Sequence, residues 1–210
     1  MQASNRRRLA AAYRISFGLL ALAAIVIQFL TGQAHPPFSA VNFFSYFTTL
    51  SNLLSAIVFL WAGISARRTM GVELMRGAVT LYLSVVFIVY ALLLSDIPLG
   101  ILRPWINTVL HQVVPAAALF DWLCAPPEHR LELRRTAIWL AFPCLFLAYS
   151  LVRGARIDWY PYPFFDPSKV GGYTGVAGYC VAVTMVLVLF GALLTWLGNY
   201  LRQRRMPMAS

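Results

Sequence analysis

NFFSYFTTLSNLLSAIVFLW, residues 42–61, joins two kinds of chemistry in one run. Its second half is an apolar membrane helix. Its first half places Ser45, Thr48, Thr49, Ser51 and Asn52 in the same apolar setting. Residues three and four apart share a helix face, so Ser45, Thr48, Asn52 and Ser55 form one polar stripe. An asparagine amide has four hydrogen-bonding sites and needs partners inside a bundle. The stripe must therefore face protein or a wet cavity rather than lipid.

The rest of the chain supplies the bundle. Of 210 residues, 60% are hydrophobic and 11% charged, and the mean hydropathy is +0.70. A soluble domain carries about 25% charged residues. The net charge of +10 raises a nucleic-acid role. Its placement in short clusters between long apolar runs excludes one. Six runs are each close to the ~20 residues that span a bilayer core: 10–30, 43–64, 77–94, 106–123, 136–152 and 173–197. The first exceeds the apolar length of a cleaved leader, so it reads as a retained helix. The chain therefore reads as one all-α domain over 1–210, a bundle of six transmembrane helices.

Orientation follows from the basic residues. One side holds Arg6, Arg7, Arg8, Arg14, Arg67, Arg68, Arg76, Arg130, Arg134, Arg135, Arg202, Arg204 and Arg205; the other holds Arg103, Arg153, Arg156 and Lys169. The positive-inside rule puts both termini in the cytoplasm. Cys124, Cys144 and Cys180 lack paired or metal-site spacing and read as small buried hydrophobes. No metal or other cofactor is implied.

The fourth run, WINTVLHQVVPAAALFDWL, carries His111 at membrane depth, where an ionisable residue defaults to a functional role. Pro115 lacks an N–H and crowds the carbonyl of His111, so the helix should bend there. Asn107, one turn earlier, can point the same way. Thr48 and His111 each lie five residues into their runs, ~7–8 Å below the outer boundary at ~1.5 Å per residue. A hydroxyl and an imidazole at one level are the minimum for a nucleophile and its base. Asp96 and Arg103 flank a short outer loop. Asp121 should pair with an inner arginine. The outer connection 153–172 contains DWYPYPFFDP, whose prolines and aromatics read as an interfacial belt, a lid, or both. Asp158 or Asp166 could orient His111 from it. Ser45, Asn52, Asn107, Trp159, Tyr160 and Tyr162 are the candidate substrate-binding residues.

FFSYFTTLSNLL, NTVLHQVVPAAALFDWL and YPYPFFDP resemble the bacterial branch of the androgen-induced multi-pass membrane protein family. The resemblance spans nearly the whole chain. It implies an intramembrane threonine hydrolase of lipid esters, since the animal members cleave fatty acid esters of hydroxy fatty acids with a Thr and a His. The family histidine falls on His111. The threonine falls on Thr48 when the aromatic pair Tyr46-Phe47 is matched, and on Thr49 when the spacing to Asn52 is matched. The partners implied are the bilayer and a lipid or amphipathic ester, at a site near the outer face of a bacterial cytoplasmic membrane. The other class of function these residues allow is a non-catalytic transporter or binding protein for a small lipid, with the polar groups lining its pocket.

Overall fold

The computed structural model describes residues 2–65, 68–96 and 102–205; Arg67 of the basic set lies outside them. Among the described residues the chain is helical, with no strand. Helix α1 is Gln2–Gln33, α2 is Ala40–Phe43, α3 is Phe47–Ile64 and α4 is Met70–Leu94. Helix α5 covers 104–124, α6 is Leu133–Ile157 and α7 is Tyr173–Arg205. Five of them (α1, α3, α4, α6 and α7) are long and apolar enough to cross a membrane. Helix α5 is long enough but more polar, because Asn107, His111, Gln112 and Asp121 interrupt it.

The second predicted run needs correction at its start. It does not begin at Phe43. Ser39 caps the four-residue α2 by accepting from the Asn42 N–H, the chain turns at 44–46, and α3 begins at Phe47. Ser45 therefore lies before the helix and off the stripe. Its hydroxyl donates to the Val41 carbonyl at 2.7 Å and meets the Tyr149 hydroxyl at 2.9 Å. Most of the other helices extend past their apolar runs. Helix α6 continues to Ile157, so the long connection is 158–172, with a tight turn at Pro163–Phe165. Asp158 ends α6 in the left-handed region, φ 53°, with its N–H on the Gly154 carbonyl.

Helix α1 lies along α3, α3 packs on α4, and α4 packs on α5 and α7. Small residues bring α1 and α3 together. A Cβ on Gly18 would stand 3.2 Å from the Ala56 carbonyl, and one on Gly63 would stand 3.1 Å from the Ala11 carbonyl. Small residues at such contacts let helix backbones approach in a membrane, where burying apolar surface gives little drive.

One end of the bundle is held by charge. Asp121 is 4% exposed and accepts from Arg14 at 2.8 Å and Arg76 at 2.6 Å, as its position predicts. Glu73, in the first turn of α4, accepts from the Glu128 and His129 N–H groups at 2.6 and 3.0 Å. Arg6, Arg7, Arg8, Arg68 and Arg205 border one groove there, so both ends of the helical chain lie at the same end of the bundle. The cysteines depart from expectation. All three are free; Cys124 and Cys144 are exposed and Cys180 is half-buried.

Candidate active site

At the opposite end, a cavity of about 570 Å³ opens among α1, α3, α4, α5 and the 158–172 connection. Thr48, Thr49, Asn107, His111, Trp159, Tyr160 and Tyr162 stand on its walls. The polar residues predicted on separate helices thus meet one space. The equal-depth argument for it does not survive: Thr48 is the second residue of α3, whereas His111 is the eighth of α5. They share a cavity because α3 starts only after α2 and its turn, and packs against the His111 turn of α5.

Helix α5 owes its shape at the site to Pro115. Across Val109–Val113 the main-chain bonds skip one residue, and the Val114 N–H donates to the Val109 carbonyl. The Leu110 carbonyl then loses its ordinary donor, Val114. The next donor along would be residue 115, a proline with no N–H. Asn52 fills the gap: its Nδ2 donates to the Leu110 carbonyl at 3.1 Å and to the Thr48 carbonyl at 2.9 Å. Asn52 is 0% exposed and lies outside the cavity wall. It ties the threonine and histidine helices together. The freed carbonyl that it satisfies is that of Leu110, next to the His111 carbonyl that Pro115 was expected to free.

The His111 ring is fixed by two neighbours. Its Nδ1 lies 3.0 Å from the Asn107 carbonyl. A carbonyl only accepts, so Nδ1 carries the proton and Nε2 keeps the lone pair. Tyr90 stacks on the ring, with centroids 4.4 Å apart and planes 27° apart. The Tyr90 hydroxyl accepts from Asn107 Nδ2 at 2.6 Å. Tyr90 sat unremarked in the third apolar run. The signal for it was its place near the C-terminal end of that run, within reach of Asn107.

Neither loop aspartate orients the histidine. Asp166 accepts from the Ser168 hydroxyl at 2.7 Å and lies 3.6 Å from the Lys169 ammonium. The Ser168 hydroxyl foremost holds its carboxyl below the usual range. Asp158 is taken up with ending α6. Asp96 is exposed, and Arg103 meets the site only through its N–H, which donates to Gln28 Oε1 at 3.4 Å.

The roof is aromatic. Tyr46 meets Trp159 and Tyr162 edge to face, and Tyr162 stacks on Phe164. The Thr48 N–H donates to the Tyr162 hydroxyl at 3.3 Å. Burial pushes the Tyr162 phenol up to about 12, so it keeps its own proton to donate. The first-turn N–H groups of a helix have no acceptors within it, and that end carries a partial positive charge. The first turn of α3 has no cap from the Tyr46 side chain, so the positive end of an 18-residue helix meets the Tyr162 hydroxyl on the cavity wall. Placing the helix start at Phe43 hid this feature from the sequence. No family model, curated protein or solved structure matches the chain.

Proposed function

We propose that this chain is an intramembrane threonine hydrolase of lipid esters, similar in chemistry to the hydrolases of fatty acid esters of hydroxy fatty acids. One observation carries the reading: Thr48, Thr49 and a histidine with its Nε2 lone pair kept free line the same cavity. Thr48 is the nucleophile. His111 Nε2 takes its proton as Oγ1 attacks the ester carbonyl. The Tyr162 O–H, polarised by the Thr48 N–H that it accepts from, holds the oxyanion. His111 then protonates the leaving alcohol, and water cleaves the acyl-threonine by the reverse path. An ordinary threonine hydroxyl needs such a base, which contributes about 10²–10⁴-fold.

The same reading makes α5 a sixth crossing. Its polar groups are met inside the bundle, Asn107 by Tyr90 and Asp121 by Arg14 and Arg76. Both termini then lie on the arginine-rich, cytoplasmic side of a bacterial membrane, and the cavity opens near the outer face.

The test is turnover of a long-chain ester by purified wild type, Thr48→Ala, Thr49→Ala, His111→Ala and the Thr48→Ala/His111→Ala pair. Either single loss at 48 or 111 should reduce turnover by ~10²-fold or more, with little further loss in the pair, because the two act as a unit. Thr49→Ala should retain substantial turnover. The opposite result at 48 and 49 moves the nucleophile one residue. Undiminished turnover in Thr48→Ala, Thr49→Ala and His111→Ala removes the hydrolase reading and favours passive lipid binding.

A further inference from the structure

A second opening reaches Thr48 from the side. Helix α6 approaches α7 through its first turns and through the 163–165 turn, while the middles of the two helices stand apart. A narrow slot of about 90 Å³ fills the space between them. Val86 and Val89 of α4, Cys144 and Leu147 of α6, and Cys180 and Thr184 of α7 are among its walls. Cys144 and Thr184 are exposed on two of the helices long and apolar enough to cross a membrane. At its inner end the slot shares Thr48, Tyr162 and Leu94 with the polar cavity. The two spaces are chemically opposite. One has an almost wholly apolar lining, and the other offers Ser39, Asn42, Thr49, Asn107 and Lys169.

Resting on the hydrolase reading, we propose that the slot holds the acyl chain of the ester, admitted sideways from the bilayer between α6 and α7. The polar cavity takes the alcohol half. The order of bond changes distinguishes the two arms. In the first step the Thr48 Oγ1–carbonyl carbon bond forms, the carbonyl carbon–alkoxy oxygen bond breaks, and the threonine proton passes through His111 to the departing alcohol. The acyl group stays attached at Thr48. The alcohol must leave, and a water must replace it to cleave the acyl-threonine. An apolar slot can neither release a polar alcohol nor deliver water, whereas the polar cavity can do both. The arm that remains bound through both steps therefore lies in the slot.

Two measurements test this. In the first, wild type, Cys180→Trp and Thr184→Trp hydrolyse p-nitrophenyl acetate and p-nitrophenyl palmitate in micelles. Filling the slot should lower the palmitate-to-acetate ratio about tenfold or more, since misplacing the reacting carbon by an ångström costs up to ~10²-fold. In the second, unmutated protein is alkylated with N-ethylmaleimide with and without palmitic acid, and each cysteine is read by mass spectrometry. Palmitic acid should slow modification of Cys144 and Cys180 several-fold and leave Cys124, at the far end of the bundle, unchanged. Thr48-dependent hydrolysis with an unshifted ratio and no protection overturns the slot assignment alone. Hydrolysis that depends on Thr49 instead also overturns the slot assignment alone, since Thr49 does not line the slot; hydrolysis of neither ester that depends on Thr48 or Thr49 overturns the hydrolase reading and the acyl-chain assignment with it.

Discussion

Replacing Asn52 by leucine removes the tie between the two helices that carry Thr48 and His111. The side chain is roughly conserved in volume, so the effect is polar. The Thr48 carbonyl keeps its main-chain helix bond and loses only a second donor, worth about 0.5–1.5 kcal/mol. The Leu110 carbonyl loses its side-chain donor and has none from the main chain, a cost of about 1–3 kcal/mol for a buried group. Two effects reduce the sum. Asn52 Oδ1 is itself buried without a donor, so its removal relieves a cost. Hydrogen bonds between membrane helices also average only ~0.6 kcal/mol in double-mutant cycles. A net loss of about 2 kcal/mol follows, or roughly 4–8 °C in the unfolding midpoint of a chain this long. Calorimetry in detergent is the assay, and Pro115→Ala is the control. An alanine at 115 supplies an N–H, lets α5 return to ordinary pairing, and gives the Leu110 carbonyl its Val114 donor. In that background Asn52→Leu should cost about 1 kcal/mol less, a coupling typical of residues in one network. An equal midpoint shift in both backgrounds, or none in either, would refute the coupling between Asn52 and the widened turn at Val109–Val113.

Three further outcomes are expected. Asp121→Asn leaves the buried Arg14 and Arg76 without a counter-charge and should lower stability by about 3–5 kcal/mol, read as a fall in the detergent unfolding midpoint; a fall of under 1 kcal/mol would show that both arginines reach water. Gly154→Ala sets a Cβ against the Tyr160 ring; it should displace the aromatic roof and raise KM for ester more than it lowers kcat, and unchanged kinetics would mean that the roof is not part of the binding surface. The Asp166 carboxyl should titrate below the ordinary aspartate range by NMR, held down foremost by the Ser168 hydroxyl; because its folded pKa is depressed, the ordering it gives the 158–172 connection is present at neutral pH and lost as pH falls through that lowered pKa, and Ser168→Ala should move the titration upward.

The bilayer makes part of this fold readable from sequence. A segment in hydrocarbon must satisfy its own backbone, so apolar length alone marks α1, α3, α4, α6 and α7. Where a helix ends is less legible. Helix α7 runs on to Arg205 through polar residues that the headgroup region accepts. The break before α3 left no signal, because NFFSYF contains neither Gly nor Pro. It depends on Ser39 capping α2 and on Ser45 bonding backward to Val41. At the site, His111 and Asn107 were legible because polar groups at that depth demand partners, and Asp121 because arginines crowd its end of the chain. The tie that Asn52 makes was not legible for the converse reason: the carbonyl that it meets on α5 lies 58 residues away. Tyr90 was missed because a tyrosine near a helix end is ordinary at a membrane interface.

The charge cluster of Arg14, Arg76 and Asp121 also bears on how the chain is made. Two cations leave the ribosome before their anion, and Asp121 follows Arg76 by 45 positions. At ~5–20 residues per second, that interval lasts roughly 2–9 s. Through it α1 and α4 carry arginines that must stretch toward the aqueous edge. Only the arrival of α5 draws them inward. The helix that brings His111 thus also brings the counter-ion that locks the first half of the bundle. A nascent chain stalled before residue 121 should remain an open set of helices, exposed to membrane proteases.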